Sequence, residues 1–184
     1  MSYCETSKDH PVHGPHHDTE YGRPVSDDEV LFERIALEIN QAGLSWLLIL
    51  KKRAALNSAF EGFEPARVAR YGEAETERLL GDAGIIRNRR KIAAVIENAR
   101  RICLLQQSHG SFAAWIEDHH PLQLADWVKL MRKTFVFMGP EVVNEFLMSI
   151  GYLPGAHDAD CPVGREIAAL NPAWMRAAPS GAVK

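Results

Sequence analysis

Two Cys/His pairs stand at opposite ends of the chain: Cys4 with His17, and His157 with Cys161 four residues later. Two thiolates and two imidazoles form a tetrahedral donor set suited to Zn²⁺, and a site closed by four protein ligands is structural rather than catalytic. Such an ion would tie down two ends, residues 1–25 and 152–164, that otherwise read as irregular. The spacing leaves His10, His13, His16, Asp18, Asp158 and Asp160 as competing ligands, with ordinary surface histidines and free thiols as the plain alternative. Cys–His nucleophilic catalysis is disfavoured, because both cysteines lie in polar segments with no fixed oxyanion donor in view.

A second constellation is basic. Arg87-Asn88-Arg89-Arg90-Lys91 follows a turn centred on Gly84, within LLGDAGIIRNRRKIAAVIEN at 79–98. This reads as two helices joined by a tight hairpin. Gly84 would allow a close approach or a backbone conformation closed to other residues, and Ile85 and Ile86 would tuck the turn onto the body. Unpaired N–H groups at the turn and at the next helix start, with cations around them, suit a phosphate. A solvated basic turn is the alternative. Lys51, Lys52 and Arg53 make a second basic cluster.

The elements that must position these groups read as helices. Ser26-Asp27-Asp28-Glu29 predicts a capping box, opening a helix with Leu31, Phe32, Ile35, Ala36 and Ile39 on one face and Glu38 on or beside that stripe. It ends near Gly43. Helices follow from Ser45 to about Asn57, from Pro65 to about Tyr71, from Glu73 to Leu80, and from about Asn88 to Gln106. The last should bury Ile92, Val95, Ile96, Ala99, Ile102 and Cys103. Ser111 caps a short helix broken by Pro121, and another covers Asp126–Thr134. Pro140 begins a helix with Val142, Val143, Phe146, Leu147 and Ile150 inside. A short helix over 164–170 is expected, then a loose tail, AAPSGAVK. No strand alternation of useful length and no repeat is present, so the class is all-α.

Composition narrows the function. With 184 residues, 46% hydrophobic and 24% charged, the chain can form one unit with a real core. No apolar run is long enough for a membrane span, and the start lacks a signal core. A net charge of −3 argues against tight non-specific nucleic-acid binding but not against a local basic footprint. Three cysteines make no disulfide framework, so a reducing cytoplasm is the expected setting.

Four segments, HHDTEYGRP at 16–24, QAGLSWLLILKKR at 41–53, DAGIIRNRRKIAAVIENA at 82–99 and FVFMGPEVVNEFLMSIG at 135–151, resemble the DNA-3-methyladenine glycosylase I family of helix-hairpin-helix glycosylases. The resemblance runs in order from Cys4 to about Cys161. It implies one glycosylase unit with a helical body over 27–150, the hairpin motif near 74–106, and a zinc lobe made from 1–25 and 152–170. The zinc ligands would be Cys4, His17, His157 and Cys161. It further implies monofunctional excision of 3-methyladenine from alkylated double-stranded DNA, with Glu38 and Trp46 in the base pocket and a DNA contact through Gly84, Ile85, Arg87, Arg89 and Lys91. A monomer is the default. The family pattern Tyr-Ile-Ala-Tyr-His is here His13-Gly14-Pro15-His16-His17, the tryptophan of its Glu-Trp-Gly is Tyr21, and its Cys-x-Trp start is Cys4-Glu5-Thr6. His13, His16 and Tyr21 therefore stand at the pocket positions of other aromatics. A damaged-DNA-binding homologue with altered lesion preference or lost excision is the alternative; a structural zinc protein would not explain the basic clusters.

Overall fold

Helix α3, Asp28–Gln41, is buried from Leu31 through Asn40, and the other helices pack round it. The computed structural model describes residues 2–176; the tail at 177–184 lies outside them. In chain order the α-helices are α1 Tyr3–Ser7, α2 His13–Thr19, α3, α4 Trp46–Ala59, α5 Pro65–Val68, α6 Glu73–Gly81, α7 Arg89–His109, α8 Phe112–Asp118, α9 Leu124–Thr134, α10 Pro140–Ser149 and α11 Pro162–Ala169. No strand occurs among the described residues, and no helix there is long and apolar enough to cross a membrane.

The core forms because α3, α4, α7, α8 and α10 each bring an apolar stripe to one centre. Phe32, Ile35, Ile39, Ile49, Val95, Phe112, Val143 and Phe146 are fully buried there, each side chain stabilising the fold by roughly 1.5–3 kcal/mol. Aromatic rings lock the layers: Phe112 stacks on Phe146 at 6.2 Å and meets Phe135 edge-on at 5.3 Å. Asn98, fully buried on α7, exchanges two hydrogen bonds with the backbone of Val136, which pins the 135–139 turn before α10.

Three expectations need correction. The cap of α3 is Asp27, not Ser26: its carboxylate accepts the N–H groups of Glu29 and Val30 at 2.9 and 3.2 Å, and a charged acceptor suits the positive helix end better than a hydroxyl. Residues 1–25 are not irregular. Ser2 and Glu5 form a reciprocal capping box for α1, and the imidazole of His10 accepts N–H groups of Val12 and His13 at the start of α2. Cys103 is only half-buried, because it lies at the edge of the α7 stripe next to Leu104, which is 62% exposed.

Candidate functional site

A helix buried on every side must satisfy its polar groups from within the protein. On α3, Arg34 donates to Glu20 at 2.7 Å, Glu33 accepts from Arg53 at 2.7 and 3.0 Å, and Asn40 donates to the Ala36 carbonyl at 2.8 Å. Glu38 is the exception. It is 6% exposed, and its carboxyl has no hydrogen-bond partner among the described residues. It faces a cavity of about 600 Å³ that is also lined by Tyr3, His13, Tyr21, Gln41, Trp46 and Glu145. Burial, and then the charge of Glu145, push its pKa up to about 8 against the pull of Arg34.

The walls are aromatic. Trp46 is the first residue of α4, placed there by Ser45, whose hydroxyl accepts the Leu48 N–H at 3.3 Å. Tyr3 and Tyr21 meet edge-on at 5.2 Å, and the Tyr3 hydroxyl lies 3.3 Å from Nδ1 of His13. The Tyr21 hydroxyl donates to Glu145 Oε2 at 3.1 Å. Of the pocket residues expected from the sequence, Glu38, Trp46, His13 and Tyr21 share this one cavity, whereas His16 does not line it. His16 is 3% exposed and stands edge-on behind Trp46 at 5.3 Å, because the α2 register aims it at Glu20. Tyr3 and Glu145 were missed. The Ser2–Glu5 capping box could have put Tyr3 on an ordered helix, and Glu145 sits beside the α10 stripe much as Glu38 sits beside that of α3.

The hairpin between α6 and α7 also departs from expectation. Gly84 does make a close approach: an added Cβ would lie 2.9 Å from Asp82 Oδ1 and 3.1 Å from the Ala55 Cβ on α4. Ile85 is 3% exposed and anchors the turn. Several donors expected to be free are in use, since Gly84 N–H bonds Asp82 Oδ1 and Asn88 Oδ1 accepts from Arg90 and Lys91 N–H. Ala83, Ile86 and Arg87 keep N–H groups with no partner among the described residues. Lys91 does not face solvent. It is 6% exposed, and its ammonium donates to the carbonyls of Asn40 and Ala42 at 2.7 Å each. Arg89 pairs with Glu73 and Glu77, so Arg87 and Arg90 are the exposed hairpin cations without an ion pair among the described residues. Gly84 does not line the cavity; the α3–α4 turn lies between, and Lys91 holds it to the hairpin.

Arg53 likewise turns inward. It joins Glu20 at 2.7 and 2.8 Å and Glu33 at 2.7 and 3.0 Å, and Arg34 completes the network from α3. Burial alone would raise the pKa of Glu20, but the adjacent His16 ring and the two guanidinium groups outweigh it and hold it at about 2. Lys52 donates to the Ala83 and Gly84 carbonyls at 3.0 Å, so it braces the hairpin.

Cys4, His17, His157 and Cys161 bring one donor atom each to a cluster in which all four lie within 4.8 Å of one another. His17 Nε2 is 3.1 Å from His157 Nδ1 and 3.3 Å from the Cys4 sulfur, and the Cys161 sulfur is 3.6 Å from His157 Nδ1. Separations of this size suit N and S donors gathered round one small ion. The outer imidazole nitrogens are oriented as well: His17 Nδ1 lies 2.7 Å from Asp18, and His157 Nε2 2.8 Å from the Tyr21 carbonyl. This group could hold a metal ion. None of the competing ligands joins it.

The fold has counterparts among known proteins. Residues 6–127 match the methyladenine glycosylase family. A DNA-3-methyladenine glycosylase 1 from Escherichia coli is 34% identical over 180 residues, 88% of this chain and 96% of its own. A DNA-3-methyladenine glycosylase from Haemophilus influenzae is 31% identical over 178 residues, 86% of this chain and 96% of its own. Among solved structures, a variant 3-methyladenine DNA glycosylase I in complex with 3-methyladenine superimposes with a TM-score of 0.77 at 32% identity, covering 89% of this chain and 97% of that one. A match over well more than half the sequence, with relatives above 30% identity along almost their whole length, means that this chain belongs to the methyladenine glycosylase family, enzymes that hydrolyse N-glycosyl compounds.

Proposed function

We propose that the chain is a monofunctional DNA N-glycosylase that excises 3-methyladenine from alkylated double-stranded DNA, leaving an abasic site, and that it works as a cytoplasmic monomer. The observation that carries this reading is the buried Glu38 carboxyl. Alone among the buried polar side chains of α3 it lacks a partner among the described residues, and it faces an aromatic-walled cavity of about 600 Å³, the size of a base with room to enter. A lesion within a duplex must first leave the stack, at a cost of a few kcal/mol. Trp46 and Tyr3 would then cover its faces, and Glu38 would accept from its amino group. N3-methylation already makes the purine cationic, so the leaving group needs no proton. The glycosidic bond breaks, its electron pair neutralises the purine, water oxygen adds to the sugar carbon, and the surplus proton passes to solvent. Release of free 3-methyladenine from methylated DNA tests the reading; a folded protein that releases none is instead the damage-binding homologue.

The hairpin would hold the backbone beside the lesion through the free N–H groups and through Arg87 and Arg90, which position the protein without reading sequence. Replacing both arginines by alanine should weaken duplex binding and reduce the slope of log K against log salt by roughly 2, about 0.9 for each phosphate no longer neutralised. An unchanged slope rejects this footprint.

In the division of the chain that supports this reading, the helical body over 27–150 carries the hairpin, the termini form a lobe round a structural Zn²⁺, and the cavity is lined by both, with Glu38, Trp46 and Glu145 from the body and Tyr3, His13 and Tyr21 from the N-terminal segment. Cys4, His17, His157 and Cys161 would hold the ion, which when bound supplies a cross-link between the termini and no chemistry to the reaction. Metal analysis should find about one zinc per chain in the purified protein. Cys161→Ser should lose it and raise amide exchange in α1 and α2; a variant that keeps its metal refutes the assignment.

A further inference from the structure

Two carboxylates from different helices line the same cavity: Glu38 from α3 and Glu145 from α10. One is enough to accept a purine amino group. Glu145 is held for another purpose by Tyr21, whose hydroxyl occupies Oε2 at 3.1 Å, while Oε1 receives only a long hydrogen bond from Asn144 at 3.4 Å. The other lining groups add no compensating charge. Among the described residues no lysine or arginine lines the cavity, Asp158 lines it as well, and His13, the one imidazole there, has its pKa lowered by burial and by His10. Arg34 is the cation nearest to Glu38 in effect, and it is committed to Glu20. The space between the carboxylates is therefore poor in positive charge.

We propose that Glu145 is a specificity-determining residue that acts with Glu38 to select a cationic N-alkylated purine over its neutral counterpart. The inference rests on the glycosylase reading above and names the charge state that the cavity recognises. A neutral purine gains hydrogen bonds and stacking. A cationic one also pairs with the Glu145 carboxylate and favours the charged form of Glu38, and this separates a methylated base from the far more numerous intact ones. Tyr21 fixes where the second charge sits.

The test uses the full-length protein and two probes in which a methyl group at N9 stands for the sugar: 3,9-dimethyladenine, cationic at neutral pH, and 9-methyladenine, neutral. Affinities are measured by titration calorimetry for the wild type, Glu145→Gln and Glu145→Asp, with thermal melts to establish folding. The glutamine variant keeps an acceptor for Tyr21, and it should lower the cation-to-neutral affinity ratio about 10-fold, the range of one partly desolvated charge pair. Glu145→Asp should restore most of that ratio. The pH at which cation binding is half-maximal should also fall in Glu145→Gln, because the charge that adds to burial in raising the Glu38 pKa is gone. An unchanged ratio, or an equal loss of both affinities, overturns the proposal even where the wild type releases 3-methyladenine from DNA. A wild type that neither releases the base nor binds either probe removes the glycosylase reading and this inference together.

Discussion

Glu38→Gln is expected to lower 3-methyladenine release by about 100-fold or more, the range for losing a positioned carboxylate, and to make the protein more stable in alkaline solution. The two effects share one cause. Glu38 has its pKa raised from 4.5 to about 8, chiefly by burial. The unfolded chain ionises this group near pH 4.5 and the folded chain only near pH 8, so the stability fully present below pH 4.5 is lost progressively up to about pH 8. The integrated loss is on the order of 3–5 kcal/mol. Glutamine is neutral throughout and escapes it. The melting temperature of Glu38→Gln should therefore pull ahead of the wild type as pH rises from 5 to 9, while base release stays low at every pH. Parallel melting curves across that range would show that the carboxyl is not held under strain, and unaltered release would place the chemistry elsewhere. Trp46→Ala should share the loss of release but not the pH-dependent gain.

The second large effect belongs to Arg53. Replacing it with methionine leaves the half-buried Glu20 and the buried Glu33 without their main partner, which should cost about 2–4 kcal/mol of stability and shift the urea midpoint without changing the slope. The loss should shrink as pH falls: Glu20 is held at about 2, so its contribution is full above pH 4.5 and disappears as pH drops towards 2. A double change, Arg53→Met with Glu20→Gln, should recover part of the loss. A single variant as stable as the wild type would mean that the network adds orientation but no stability.

What was legible in the sequence was whatever has a short period or a distinctive chemistry. The stripes of α3, α7 and α10 repeat every three or four residues, and Asn88, Ser111 and Pro140 mark helix starts. The cluster of Cys4, His17, His157 and Cys161 could be read because the chain has only three thiols and two of them stand near opposite ends with imidazoles close by. The first 25 residues misled because Gly14 and Pro15 look like breakers. Pro15 is the third residue of α2, where the missing N–H has no partner to lose. The ion network could not be read at all. Arg53 finds Glu20 and Glu33 at separations of 33 and 20 residues, which carry no periodic signal. Lys91 misled for a related reason, since an ammonium within a basic run reads as surface until its carbonyl partners, 51 and 49 residues away, are known.

Those carbonyls give Lys91 a mechanical meaning. They belong to the end of α3 and the start of the turn that joins it to α4, and the same stretch supplies the lip of the cavity through Gln41, Ser45 and Trp46, the first residue of α4. One ammonium thus rivets the start of α7 to that lip, so neither can shift without the other. In the proposed complex the distance from hairpin to cavity mouth acts as a fixed gauge, set inside the protein before any strand arrives, and the burden of adjustment would fall on the flexible polymer rather than on the enzyme.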